Sequence, residues 1–162
     1  MATAMYPLFG DFFQFGYVTN DIERAIATFR ETAGIQQFKL MRDMAPGQPM
    51  NTHIALAYAG NLMIELIEPL GAFPMYTDLL PSSGEFVVRH HHMGYRVADE
   101  RRWRQLQAAV AQLGLNVSAG GEIPDLLSYA YIDTRHLYGH YQEYIFTTAA
   151  GESAFFGDVP RF

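Results

Sequence analysis

The spacing of apolar and polar positions runs through the same order of periods twice. From Phe12 to Thr19 the chain is aromatic and β-branched, as a strand requires. Asn20 or Asp21 then offers a helix N-cap, and Ile22, Ala25, Ile26 and Phe29 recur at helical spacing up to Gly34. The segments QQFKLMRDM, NTHIALAY and LMIELIEP predict three strands, parted by turns at 45–48 and 59–61 and ended by Pro69. A Pro-, Gly- and Ser-rich connector follows, with a short helix expected at MYTDLL. The pattern then restarts: HHMGYRVA predicts a strand, Asp99 caps the helix ERRWRQLQAAVAQLG, and LNVSAGG, LLSYAYIDT and HYQEYIFTT predict three more strands. The reading is α+β, with a βαβββ module over 12–69, a connector over 70–88, a second module over 89–148 and a tail over 149–162.

A shift of 78 positions lays Gly16 on Gly94, Tyr17 on Tyr95 and Asp21 on Asp99. The same shift lays Gln14 on His92 and Glu65 on Glu143, so each polar pair spans 51 positions. Gly34 and Ile35 match Gly114 and Leu115 at a shift of 80, which puts compensating insertions in the loops. Duplication accounts for this more simply than coincidence.

Side chains alternate along a strand, so Gln14 shares a face with Gly16 and Val18, and Glu65 with Met63 and Ile67. In the second half His92 sides with Gly94 and Arg96, and Glu143 with Tyr141 and Ile145. Polar groups in the middle of such apolar faces are costly unless hydrogen-bonded or metal-bound. Any one of the four could be a satisfied core residue, but their repeat-equivalent placement favours a shared metal ion. Glycine two residues after Gln14 and His92 would leave room beside each ligand for a substrate. By the same alternation Val18, Met63, Ile67, Tyr141 and Ile145 are candidate pocket walls. Arg96 could grip a substrate carboxylate or phosphate, or pair with an acidic neighbour. His90 is expected to point the same way as His92, and His91 the opposite way.

Composition narrows the function. Hydrophobic residues make up 49% of the 162, enough for a sizeable core, and aromatics make up 14%, which favours a ring-lined cavity. The net charge of −6 argues against nucleic acid, since the only basic run, Arg101, Arg102 and Arg104, sits on a predicted helix. Absence of cysteine excludes thiolate chemistry and fits a reducing cytosol. The opening MATAMYPLFGDFFQFG lacks a basic n-region and is expected not to be a secretory leader, and no run reaches a membrane span, so a cytoplasmic protein is expected.

The segments QFGYVTNDIERAIATFRETAGI and HMGYRVADERRWRQLQAAVAQLGL resemble the opening strand and helix of the two modules of the glyoxalase, bleomycin-resistance and extradiol-dioxygenase superfamily, the vicinal oxygen chelate proteins. LMIELIEP and YGHYQEYIF resemble its closing strands. The resemblance implies two tandem modules forming a curved, partly closed sheet around a metal cavity. It places the ligands of one divalent ion (Zn, Ni, Co, Mn or Mg) on Gln14, Glu65, His92 and Glu143. This set is similar to that of one branch of glyoxalase I, while the LIEP strand and its spacing to HHMG look more like methylmalonyl-CoA epimerase, where a Gln or His usually replaces Glu65. The implied activity is that of a lyase or isomerase. It would act on a small 2-oxo, hemithioacetal or acyl-thioester substrate through a metal-stabilised enolate or enediolate, with Glu143, or secondly Glu65, as the base. A homodimer is implied as well. A non-catalytic binder of the bleomycin-resistance type is the alternative, and a ring-cleaving dioxygenase is disfavoured by the single histidine among the ligands.

Overall fold

The computed structural model describes residues 10–162; the reading of the N-terminal stretch as no leader falls largely on 1–9, outside the described residues. The described residues are mixed α+β, with eight strands. In order they are β1 (Asp11–Thr19), α1 (Ile22–Ala33), β2 (Lys39–Met41), β3 (Thr52–Ala59), β4 (Leu62–Pro69), α2 (Pro74–Thr77) and β5 (Val88–Arg96), then α3 (Glu100–Gln112), β6 (Val117–Ile123), β7 (Leu127–Asp133), α4 (Arg135–Tyr138), β8 (Tyr141–Thr147) and α5 (Ala149–Gly151). Among the described residues no helix is long and apolar enough to cross a membrane.

The chain divides into two compact units, one of residues 14–92 with 158–162 and the other of residues 10–13 with 93–157. In the first, strands run in the order β2-β3-β4-β1, with β1 parallel to β4 and the other pairs antiparallel. Ile22, Ala25 and Ile26 of α1 bury against Ala55 and Ala57 of β3 and Ile64 and Leu66 of β4, flanked by Phe15 and Tyr17. Each fully buried isoleucine contributes about 1.5–3 kcal/mol. Strand alternation leaves Gln14, Gly16 and Val18 of β1, and Met63, Glu65 and Ile67 of β4, on the face away from that helix.

Helix α1 starts where Asp21, in extended conformation, accepts a hydrogen bond from Arg24 N at 3.0 Å, and it stops at Gly34, whose φ of 72° suits glycine. Asn20, the other predicted cap, instead fastens the connector: its amide donates to Glu85 O at 2.8 Å and its carbonyl accepts from Val87 N at 3.1 Å. Strand β2 keeps three of the nine residues predicted for it. Asp43 turns into the left-handed region at φ 51°, and Asn51 reaches back to accept from Ala45 N at 3.0 Å, so the loop closes on itself before it can extend the ladder.

The second unit repeats the design. Asp99 accepts from Arg102 N at 2.8 Å to start α3, and Leu106 and Val110 of α3 bury with Ile132, Tyr144, Tyr95 and Val97. Strands β6, β7 and β8 pair antiparallel in succession. On β8, Tyr144 and Gln142 share the helix side, the tyrosine hydroxyl donating to Gln142 Oε1 at 3.0 Å, which leaves Tyr141, Glu143 and Ile145 on the opposite face.

The C-terminal tail, 149–162, is built in two parts. Residues 152–156 form one π-helical turn that buries Phe156. Residues 160–162 then run beside β3, beyond the short β2: Tyr58 N donates to Pro160 O at 2.8 Å, Gly60 N to Phe162 O at 2.8 Å and Phe162 N to Tyr58 O at 3.0 Å. The Arg161 guanidinium stacks 3.9 Å above the Tyr58 ring. A sheet edge is thereby covered.

Because both helices depend on one aspartate cap, Asp21→Ala and Asp99→Ala should each lower the unfolding free energy by about 1 kcal/mol. Urea denaturation reads this directly, and an unchanged midpoint in both variants would show that the caps contribute nothing to stability.

Candidate metal centre

Three side chains of the first unit converge on the helix-free face. His92 Nε2 lies 3.1 Å from Gln14 Oε1 and 3.1 Å from Glu65 Oε2. Donors about 2.1 Å from a common ion stand about 3.0–3.4 Å apart, so these separations fit ligands of one metal. Exposures of 1%, 8% and 0% for Gln14, Glu65 and His92 put the group beyond bulk water, where a carboxylate is stable only with a cation or several donors.

Each ligand is aimed by something identifiable. Gln14 pairs in register with Met63 across β1 and β4, and its amide NH2 donates to the Met63 sulfur at 3.3 Å, which turns the carbonyl oxygen toward His92. Glu65 stands in register with Gly16. A Cβ at position 16 would lie 1.8 Å from His92 Cε1, so the imidazole occupies the volume that any other residue at 16 would fill. Gly16 therefore makes room for a ligand ring and not, as expected from sequence, for a substrate.

The parity expected of the three histidines fails. His90 packs its ring on Phe15 and Tyr17, at 5.7 and 5.6 Å between centroids, on the face of β1 that meets α1. His92 lies over Gly16 on the other face. His91 and His92, consecutive in sequence, are both buried, and their Nδ1 atoms are 2.9 Å apart. Strict alternation does not hold through this stretch of β5, and His91 was missed as a member of the site for that reason. The only signal in the sequence was its place beside the ligand.

In the second unit Glu143 is 6% exposed on β8, in register with Tyr131 of β7. The neighbouring Tyr129 has its hydroxyl pKa raised, first by burial and then by the negative charge of Glu143. Of the candidate wall residues, Val18 and Ile67 face each other across β1 and β4, and Met63, Tyr141 and Ile145 are likewise buried. Arg96 donates to Glu152 and lies over the rings of Phe13 and Phe156 at 4.3 and 4.6 Å, so pairing with an acid is the arrangement found for it. A separate cleft of about 630 Å³ lies between α3 and the β6–β7 hairpin, lined by Trp103, Leu106, Gly121 and Tyr129, and includes none of the four ligand candidates.

The family model of the glyoxalase/bleomycin resistance protein/dioxygenase superfamily matches residues 13–114, a span that opens one residue before Gln14 and takes in Glu65 and His92. The chain belongs to this superfamily. Among solved structures, it is similar to the methylmalonyl-CoA epimerase of Streptomyces coelicolor in complex with 2-nitronate-propionyl-CoA, at 16% identity and a TM-score of 0.63 over 86% of this chain and 99% of that one. It is also similar to the methylmalonyl-CoA epimerase of Mycobacterium tuberculosis, at 13% identity and a TM-score of 0.59 over 91% and 93%. A hypothetical protein from Bacillus halodurans shows 18% identity and a TM-score of 0.61 over 85% and 94%. At these identities the likeness establishes the vicinal-oxygen-chelate fold. No curated protein sequence matches the chain significantly.

Gly16→Ala forces the His92 ring out of its volume, since the clash is with a ring wedged in a buried site. The expected cost is about 1–3 kcal/mol in urea denaturation, with loss of bound metal. A variant with wild-type stability and metal content would show that the close approach is not required.

Proposed function

We propose that the chain is a metal-dependent isomerase or lyase that removes a proton next to a carbonyl and works through an enolate or enediolate. The substrate class is a small 2-oxo compound, hemithioacetal or acyl thioester. The observation that carries the reading is the convergence of Gln14 Oε1 and Glu65 Oε2 on His92 Nε2 in a buried setting. Glu143, repeat-equivalent to Glu65, supplies the fourth ligand in this proposal. Two carboxylates, one amide oxygen and one imidazole suit a divalent ion such as Zn, Ni, Co, Mn or Mg with positions left for substrate oxygens. Such an ion supplies Lewis-acid stabilisation of the negative charge that develops on the substrate oxygen.

The protein's own part is to hold that charge in a dry setting and to move the proton. Glu143 is the first choice of base: it is a buried carboxylate on β8, and the face it shares with Tyr141 and Ile145 is apolar enough to keep water from competing for the proton. Glu65 is the second choice, because its Oε2 is already directed at His92. The two glutamates need different roles, and the variants that neutralise each of them separate ligand from base. The methylmalonyl-CoA epimerases support the acyl-thioester branch, as proteins of the same fold whose substrate carries an acidic C–H next to a thioester carbonyl.

Elemental mass spectrometry on untagged protein should find about one divalent ion per chain, lost in Glu65→Ala and in His92→Ala. With that ion present, deuterium from D2O should enter the position next to the carbonyl of methylmalonyl-CoA or a comparable acyl thioester. Glu143→Gln should slow this by about 10²–10⁴-fold. Absence of metal from wild type, even after incubation with Zn, Ni, Co or Mn, would overturn the enzyme reading and leave ligand sequestration as the use of the fold.

A further inference from the structure

We propose that His91 is a positioning residue that fixes the tautomer of His92, so that the Nε2 lone pair of His92 is presented to the metal; this rests on the metal reading above. A backbone carbonyl can only accept a hydrogen bond. His91 Nε2 lies 3.1 Å from Met75 O, so the proton of that contact belongs to His91 Nε2. A neutral imidazole carries one N–H, and His91 Nδ1 is then an acceptor. His92 Nδ1 lies 2.9 Å from it and donates. That leaves Nε2 of His92 to meet a cation: Gln14 Oε1 and Glu65 Oε2, both acceptors, approach this atom at 3.1 Å each, and three acceptors at such a distance need a positive centre, metal or proton, among them. One chain of hydrogen bonds, from the Met75 carbonyl through His91 to His92, sets which nitrogen faces the ion.

The reverse assignment carries a clear penalty. With its proton on Nδ1, His91 would set an Nε2 lone pair against the Met75 carbonyl oxygen in a site that is 1% exposed, a buried acceptor–acceptor contact with no water to relieve it. The ring cannot easily escape by turning. It packs against Tyr76 at 5.1 Å between centroids and stands at 88° to the His92 ring. The acceptor is held just as firmly. Within the short helix α2 the carbonyls of Pro74 and Tyr76 accept from Asp78 N and Leu79 N, while that of Met75, between them, accepts from His91. A metal-bound histidine commonly gives its other N–H to a carboxylate or carbonyl; here a second histidine stands between the ligand and the carbonyl. The connector helix thereby anchors the orientation of a ligand on β5.

The test reads protonation sites directly. Two-dimensional ¹⁵N imidazole NMR at about pH 8 is recorded on metal-free and zinc-loaded protein. His91 should be protonated at Nε2 and His92 at Nδ1 in both states, with the His92 Nδ1 proton protected from exchange and zinc on Nε2. His91→Phe, which keeps a ring and removes the acceptor, should lose that protected proton and bind zinc about 10–100-fold more weakly in competition with a chromophoric chelator. His91→Gln, whose amide can accept from His92 and donate to Met75, should recover most of the affinity, and it carries the test if the Phe variant does not fold. Wild-type His91 protonated at Nδ1, zinc on Nδ1 of His92, or an unchanged affinity in His91→Phe would each overturn the proposal. If wild type binds no zinc, the metal reading fails, and the metal-free spectrum still decides the relay.

Discussion

The site depends on a missing atom. Position 16 has no Cβ, and the imidazole of His92 occupies the space where one would be. This fixes more than one residue. Glu65 is opposite Gly16 in the parallel ladder of β1 and β4, and Gln14 is two residues earlier on the same face. The ring therefore stands over the one point from which it meets both oxygens. Close packing of that kind tolerates little adjustment, because a buried ring has no neighbouring void to move into.

A dry cluster of polar atoms is expensive, and Gln14 and His92 each have a second contact settled. Gln14 rests its NH2 on a thioether, a weak acceptor that keeps the amide from rotating without competing strongly for it. His92 has its far nitrogen on His91, which ends on a backbone carbonyl. Orientation is thus set by groups that carry no charge. The charge beside His92 comes from the Glu65 carboxylate, and a divalent cation is well suited to stabilise it.

The sequence carried most of the fold. Helix starts at Asp21 and Asp99, the turn at Gly34 and the strands around them could be read because each follows from local chemistry: a cap, a left-handed residue, a period. The pairing of Gln14, Glu65 and His92 was legible through the repeat, which placed equivalent residues at equal separations. What could not be read depends on contacts between distant segments. Alternation predicted one side for His90 and the other for His91, but β5 departs from strict alternation where His91 meets Met75, and no pattern within β5 records that. Likewise Arg96 had two readings, and the choice between them waited on Glu152, 56 positions away. The shortening of β2 was set by Asn51 folding the preceding loop, a side-chain contact that composition does not announce.

The segment 158–162 carries a consequence for the order of events during synthesis. It belongs to the same compact unit as residues 14–92 and hydrogen-bonds to Tyr58 and Gly60 of β3. A ribosome releases β3 about 100 residues before that segment, at roughly 5–20 residues per second, which is an interval of about 5–20 seconds. Throughout that interval the amides of Tyr58 and Gly60 lie on an open strand edge next to a growing chain. The first unit can fold its helix onto its sheet early, but its edge closes only after residues 158–162 have been made. Chaperone binding in this interval would concentrate at β3.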